Sequence, residues 1–416
     1  MNSIERRTAL SVASLMALRM LGLFLLIPVL PVLALKEPGA TPALVGLAVG
    51  IYGLTQAVLQ LPFGWLSDRW GRHALVAVGL CMFVLGGVVA HFSTSIYGII
   101  LGRALQGGGA IASALMALLA DVSREEQRSK VMAIVGMSIG ASFMLAIVMG
   151  PVLAQWWNLS QLFLFTACAG LLGLAVLYWA VPKPSVIQAA EPETSEPGTY
   201  ERGALQSLST MPFRLAAKQC LSSRPLVMLM GSVCLLHLLI TAVFVLFPTW
   251  LDQQYGWPLE SHWKIYLPLI FLVFLFVFPV LGVVEKCRMH RGLMVLAFTV
   301  FGVSIGSFGV DALGFSQLLF GFFLVFLAFS LLEAVLPSLV SRVVPPNIKG
   351  TALGLFSTSQ FLGAFLGGSV AGLASQFDAL GVFFAIVLAC CVLWGLGVWL
   401  GFPQDVKAVS LANVER

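Results

Sequence analysis

Gly64-Trp65-Leu66-Ser67-Asp68-Arg69-Trp70-Gly71-Arg72-His73 sets an acid and an arginine between two glycines and follows them with a second arginine and a histidine. Its flanks decide what it is. Residues 43–66 before it and 74–92 after it are apolar and long enough to cross roughly 30 Å of hydrocarbon. The charged stretch is therefore a short loop at a membrane face. Similar apolar runs cover 10–35, 95–120, 131–154 and 160–181. After a polar interruption they resume at 226–250, 264–284, 292–310, 315–341, 350–375 and 380–402. The pattern predicts an all-α membrane protein of twelve transmembrane helices in two pseudo-symmetric six-helix bundles.

Composition agrees. Of 416 residues, 59% are hydrophobic and only 10% charged, with a mean hydropathy of +0.98. A soluble domain carries about a quarter charged residues. The net charge of +5 raises the question of nucleic acid, and the placement of the bases answers it. Of 23 lysines and arginines, Lys36 and Lys264 fall on one side and Arg19 and Arg103 within spans. The rest fall on the side of the termini, so the positive-inside rule makes both termini cytoplasmic. The basic balance then reports topology, with no nucleic-acid partner. Arg6 and Arg7 precede the first apolar stretch, but that stretch is too long for a cleaved leader. The seven cysteines lack metal-type spacing and read as free packing thiols.

Three segments follow: a bundle over 1–181, a polar cytoplasmic linker over 182–224, and a second bundle over 225–416. The linker gathers Pro182, Pro184, Pro192 and Pro197 with four glutamates. Its later part, Leu205 to Leu221, fits a basic amphipathic helix at the membrane surface. The halves echo each other: Arg128-Ser129-Lys130-Val131-Met132-Ala133 and Lys349-Gly350-Thr351-Ala352-Leu353-Gly354 both lead into Gly- and Ser-rich spans.

The loop at 64–73 resembles the signature G-x-L-x-D-R-x-G-R-[KR] of the major facilitator superfamily, with Trp65 and His73 as variations. Arg103-Ala104-Leu105-Gln106-Gly107 resembles a second motif of that superfamily, R-x-x-Q-G. Residues 103, 106, 107 and 110 fall on one face of a continuous helix. Gly136, Gly140, Gly150 and Pro151 partly match a motif of its drug–proton antiporter branch, although glycines in spans are more often packing devices. Further similarity lies in Leu18-Arg19-Met20-Leu21-Gly22, Ile51-Tyr52-Gly53-Leu54-Thr55-Gln56-Ala57 and Ser357-Thr358-Ser359-Gln360-Phe361-Leu362-Gly363. The transporters most similar in these segments carry a soluble domain after span twelve. Here about 14 residues follow Phe402, so functions tied to that domain are not expected.

The resemblance implies a gating loop formed by Gly64, Asp68, Arg69, Gly71 and Arg72. In it Asp68 meets the N-terminus of span eleven, where the helix dipole favours an acid. Arg72 would pair with Asp121 at the end of span four. It also links Arg103 to proton coupling. The other reading of Arg103 is a structural arginine bonding helices together.

Ionisable groups within spans are few: Arg19, Arg103, His237 and Glu333. All four are candidates for proton coupling, because such groups are costly in lipid and mark function by default. Glu333 is the only acid well inside a span, where burial favours its neutral form. Its alternative role is a permanent ion pair with span one or four. His237 is either a proton carrier, as histidine side chains can be near neutral pH, or a packing histidine. Arg19 either attracts an anionic substrate group or pairs with Glu333. Polar stripes suggest cavity walls: Tyr52, Gln56 and Gln60 on span two, with Gln106, Thr241, Ser357 and Gln360 elsewhere.

These features predict a proton-driven secondary transporter working by alternating access, with efflux of hydrophobic or drug-like compounds favoured. Proton-coupled uptake of a small metabolite and a non-transporting membrane sensor are the alternatives. The sequence holds no nucleophile–base motif, metal cluster or phosphate loop, so no enzyme, cofactor or direct use of ATP is expected. The expected partners are a small-molecule substrate, protons and the lipid bilayer. The chain is expected to act as a monomer in the bacterial inner membrane.

Overall fold

A computed structural model describes residues 3–122, 125–181, 213–309, 314–345 and 348–404. The described residues are helical, and they cluster into two compact units. The first comprises Met1–Pro197 and Phe244–Tyr266, the second Gly198–Val243 and Leu267–Arg416.

In the first unit α1 (Ser3–Leu26) and a short α2 (Leu30–Ala34) precede α3 (Pro42–Trp70), α4 (Arg72–His91) and α5 (Ile96–Gly108). Then come α6 (Ala112–Val122), α7 (Glu125–Leu153) and α8 (Leu159–Trp179). Helix α1 packs on α7 and α8, α4 packs on α5 and α8, and α3 packs on α5. The second unit begins with α9 (Phe213–Ser222) and α10 (Arg224–Gln253), whose last turns belong to the first unit. A 3₁₀ turn at Leu259–Ser261 leads into α11 (Trp263–Cys287). It is followed by α12 (His290–Ser307), α13 (Phe315–Val343), α14 (Lys349–Gln376) and α15 (Leu380–Gly401). Helix α12 packs on α13 and α15.

Among the described residues eleven helices are long and apolar enough to cross a membrane, α5 and α6 counting together. Helix α14 is 28 residues long but is diluted by glycines, serines and two glutamines, so its composition alone does not mark it as a span. Large apolar side chains such as Phe271, Trp179 and Leu400 are exposed. A helix in lipid gains nothing by hiding such groups in protein, and exposed apolar side chains suit contact with acyl chains.

Local chemistry sets the helix ends. Thr41 caps α3 by accepting from the Leu44 N–H at 3.3 Å, with Pro42 in the first turn. Asn158 and Gln161 form a reciprocal capping box on α8. Gly71 turns the chain between α3 and α4 at φ +89°, ψ +143°, a conformation essentially reserved for glycine. The corresponding turn between α11 and α12 places Arg288 at φ +54°.

Two expected spans are interrupted. The run 10–35 divides around Pro28 into α1 and α2, because proline supplies no N–H to continue the ladder. The run 95–120 divides at Gly109 into α5 and α6. There the Ala110 and Ile111 N–H groups reach back only two residues, to Gly108 O and Gly109 O. Residues 103, 106 and 107 stay together on α5, but Ala110 lies beyond the break and off their face. Of the expected surface helix, residues 213–222 form α9, with Ala216 and Cys220 buried and Arg214, Leu215 and Lys218 exposed. Residues 182–212 of the linker lie outside the described residues.

Candidate functional site

Each unit holds a polar cluster among apolar helices. In the first unit the glycine run at 107–109 allows it. A Cβ at Gly107 would fall on the Tyr52 backbone of α3, one at Gly109 on the Gly79 carbonyl of α4, and one at Gly86 on Gly102 and Gln106 of α5. These close approaches draw the helices around Arg19, Tyr52, Gln56 and Arg103.

Arg19 is 1% exposed. Its Nη2 donates to Tyr52 Oη at 3.0 Å, Gln56 Oε1 at 2.9 Å and Gly109 O at 2.7 Å. The Gly109 carbonyl is available because α5 ends there, and a helix C-terminus favours a cation. Gln56 Nε2 continues the chain to Gln60 Oε1 at 3.1 Å. The stripe Tyr52–Gln56–Gln60 is buried throughout; Tyr52 and Gln56 tie α3 to Arg19 of α1, while Gln60 bonds Gln56 on the same helix.

Arg103 is 2% exposed, with its guanidinium carbon 4.9 Å from the Tyr52 ring centroid. Its Nε donates to Ala48 O at 3.4 Å and its Nη1 to Gln106 Oε1 at 3.2 Å. Gln106 Nε2 in turn donates to Thr166 Oγ1 at 3.0 Å, tying α5 to α8. Thr166 escapes a sequence reading because a lone threonine in an apolar span carries no pattern.

The second unit brings His237, Glu333 and Gln360 together from α10, α13 and α14. His237 Nε2 lies 3.7 Å from Glu333 Oε2 and 2.8 Å from Gln360 Nε2. His237 Nδ1 lies 3.1 Å from Val233 O, which can only accept, so this nitrogen carries a proton. A ring protonated on Nδ1 alone would accept the Gln360 amide N–H on Nε2. The ring of Phe329 meets the imidazole edge-on, with centroids 5.9 Å apart. Glu333 departs from expectation in one respect: its side chain is 40% exposed, so protein does not enclose it, and its partner is His237. Thr241 and Ser357 are half-buried on α10 and α14.

The signature loop is partly described. Arg72 Nη1 donates to Ser67 Oγ at 2.6 Å, and Arg69 stacks over Trp65 at 4.0 Å. A Cβ at Gly64 would make only ordinary contact with Ser113, so tight packing there is not what requires glycine. The side chains of Asp68 and Asp121 lie outside the described residues. Among the span-five glycines, Gly150 abuts the Leu25 backbone of α1, whereas Gly136 and Gly140 have nothing within 4 Å of a Cβ.

One cluster was not anticipated. Glu285 at the end of α11 accepts from Arg342 Nη2 of α13 at 2.8 Å and lies 3.1 Å from His290 Nε2 of α12. Glu285, Arg288 and His290 stand at the spacing of Asp68, Gly71 and His73. Aligning the two halves on that loop finds it.

The comparisons with known proteins agree with this architecture. The chain is 41% identical over 404 residues to the inner membrane transport protein YajR of Escherichia coli (strain K12), covering 97% of this chain and 84% of that one. It is 36% identical over 126 residues to multidrug resistance protein D of the same organism, covering 29% and 32% respectively. The structure superposes on that of a D-xylose-proton symporter with a TM-score of 0.74 at 17% identity, covering 97% of this chain and all of that one. The family profile described as Major Facilitator Superfamily matches residues 12–368. With two helical units, each built around a polar cluster within its spans, this chain belongs to the major facilitator superfamily, a family of multi-pass membrane transporters and not of enzymes.

Proposed function

We propose that this chain is a proton-coupled carrier that exports small hydrophobic or drug-like compounds by alternating access. The observation that carries this reading is the His237–Glu333 pair, two titratable groups 3.7 Å apart on membrane-spanning helices. Ionisable side chains are avoided at that depth unless they work there. A single proton shared by carboxylate and imidazole gives one loaded and one unloaded state, and Gln360 can bond the ring in either. Arg103 and Arg19 hold the positive charge of the first unit beside Tyr52 and Gln106. Asp68, Arg72 and Asp121 serve the gating loop. Export is favoured over uptake by the local similarity to multidrug resistance protein D. The relationship to YajR supports a bacterial inner membrane, and the basic loops support cytoplasmic termini. The carrier acts as a monomer.

The test is proton flux in reconstituted vesicles with an internal pH dye, for wild type and Glu333→Gln, across candidate compounds. Substrate-dependent proton movement that the glutamine variant loses supports the carrier. Its direction separates export by antiport from uptake of a metabolite by symport. Transport without proton movement, or normal coupling by Glu333→Gln, sinks the assignment of the coupling acid.

A further inference from the structure

Two guanidinium groups lie in the interior of the first unit, and among the described residues neither meets a carboxylate. Both converge on Tyr52, one at its hydroxyl and the other at its ring. Arg103 is partly satisfied, through Nε, Nη1 and the face of the ring. Arg19 is not. All its hydrogen bonds use Nη2, while Nε and Nη1 are enclosed and have no partner. A buried cation left in that condition is strongly destabilising unless an anion completes it. The Gly109 carbonyl supplies the negative end of a helix dipole, but to the same Nη2.

The neutral polar groups nearby are already committed. Gln56 is bonded to Arg19 and Gln60, and Gln106 to Arg103 and Thr166. A ligand there finds unmet positive charge and few free neutral donors or acceptors. That combination selects an anionic head on an apolar body, not a polyhydroxylated compound.

We propose that Arg19 is the recognition residue for a lipophilic organic acid bound as its monocarboxylate. A carboxylate oxygen accepts from Nη1, on the edge of the guanidinium away from the Nε N–H, and Arg103 supplies a second positive charge across Tyr52. Charge-assisted bonds of this kind are the strong ones. The inference deepens the carrier reading by naming a substrate class, and rests on it for access: the arginine is closed off in this conformation and is reached when the transporter opens.

The experiment is thermal unfolding of the purified full chain in nanodiscs, titrated with sodium benzoate, its neutral analogue benzamide, and sodium chloride at matched ionic strength. Benzoate is expected to raise the wild-type unfolding temperature saturably and benzamide to leave it unchanged. The half-saturating benzoate concentration should rise at least about tenfold in Arg19→Gln. Without anion, Arg19→Gln should unfold at the same temperature as wild type or higher, because it removes an unpaired buried charge. A structural arginine gives the opposite shift. If chloride reproduces the Arg19-dependent curve, the site takes an inorganic anion and the organic-acid assignment is overturned. Equal curves for benzoate and benzamide, no saturable response, or an unchanged curve in Arg19→Gln overturn the site itself. Should Arg19→Gln not fold, Arg19→Lys replaces it in the titration, and a half-saturating benzoate concentration equal to that of wild type overturns the site. No proton flux enters the readout, so a failure of proton coupling leaves the result interpretable.

Discussion

The Nε2 atoms of His237 and Gln360 stand 2.8 Å apart, nitrogen to nitrogen, while the ring's other nitrogen faces the Val233 carbonyl. An amide N–H can donate to a neutral imidazole, but a protonated ring needs the amide oxygen instead. The orientation of Gln360 is thus tied to the charge of His237. Gln360→Glu replaces this two-way partner with an acceptor that holds the proton on the ring. We expect its pH-gradient-driven transport to fall about tenfold or more, equivalent to roughly 1.4 kcal/mol on the limiting step. Exchange of substrate without a gradient should persist. Gradient-driven rates equal to wild type, measured in the same vesicles, exclude the coupling.

Helices α10 and α14 meet through glycines one and two turns from Gln360. A Cβ at Gly363 or Gly367 would fall on the backbone of Cys234 or Leu238, which cannot yield as a side-chain tip can. Gly363→Leu is expected to cost at least about 1–3 kcal/mol by overpacking, read as a lowered unfolding temperature. Gly136→Ala, where nothing lies within 4 Å, should stay within about 0.5 kcal/mol of wild type. Equal effects of the two would show that this helix contact is not close.

The two related turns differ in the residue placed at positive φ, glycine at 71 and arginine at 288. Gly71→Ala is expected to destabilise by about 1–3 kcal/mol, since alanine strains at φ +89°, ψ +143°. Arg288→Gly relieves a left-handed strain of about 1 kcal/mol, less whatever its side-chain contacts contribute. Chemical or thermal unfolding of the pair should move in opposite directions.

The ion pair of Glu285 with Arg342 involves side chains that are 60% and 41% exposed. Solvent screens such a bridge, so Arg342→Gln should cost less than about 1 kcal/mol. A fall in stability well beyond that would mean the bridge acts with His290 as a tighter unit than its exposure allows.

Much of the helical architecture is legible in the sequence because hydrophobic runs of span length have few other uses. Span eleven shows the limit. Six glycines in α14 dilute the very signal by which spans are read, although they create its contact with α10. The break at Gly109 is hidden for a related reason, since a glycine run reads equally well as packing or as interruption. Apart from Thr166, the side chains of the polar clusters could be picked out as costly groups in lipid, but not paired. Arg19 with Gly109, Gln106 with Thr166 and Glu333 with His237 are relations between distant helices that no local spacing encodes. The Glu285 cluster is hidden for a different reason: charges in a loop satisfy the topology rule whether or not they pair.

Arg19 and Arg103 also have an electrical consequence. They are fixed positive charges carried within the membrane-spanning part of the first unit, and among the described residues no carboxylate pairs with them. Any movement of that unit along the membrane normal transports them through the transmembrane field. A full crossing is worth about 2.3 kcal/mol per charge per 100 mV, so a shift through a tenth of the thickness biases the two states by about 0.5 kcal/mol per 100 mV. In the proposed alternating-access cycle such a shift would make the empty carrier voltage-sensitive, and an anion seated on Arg19 would lower the charge displaced.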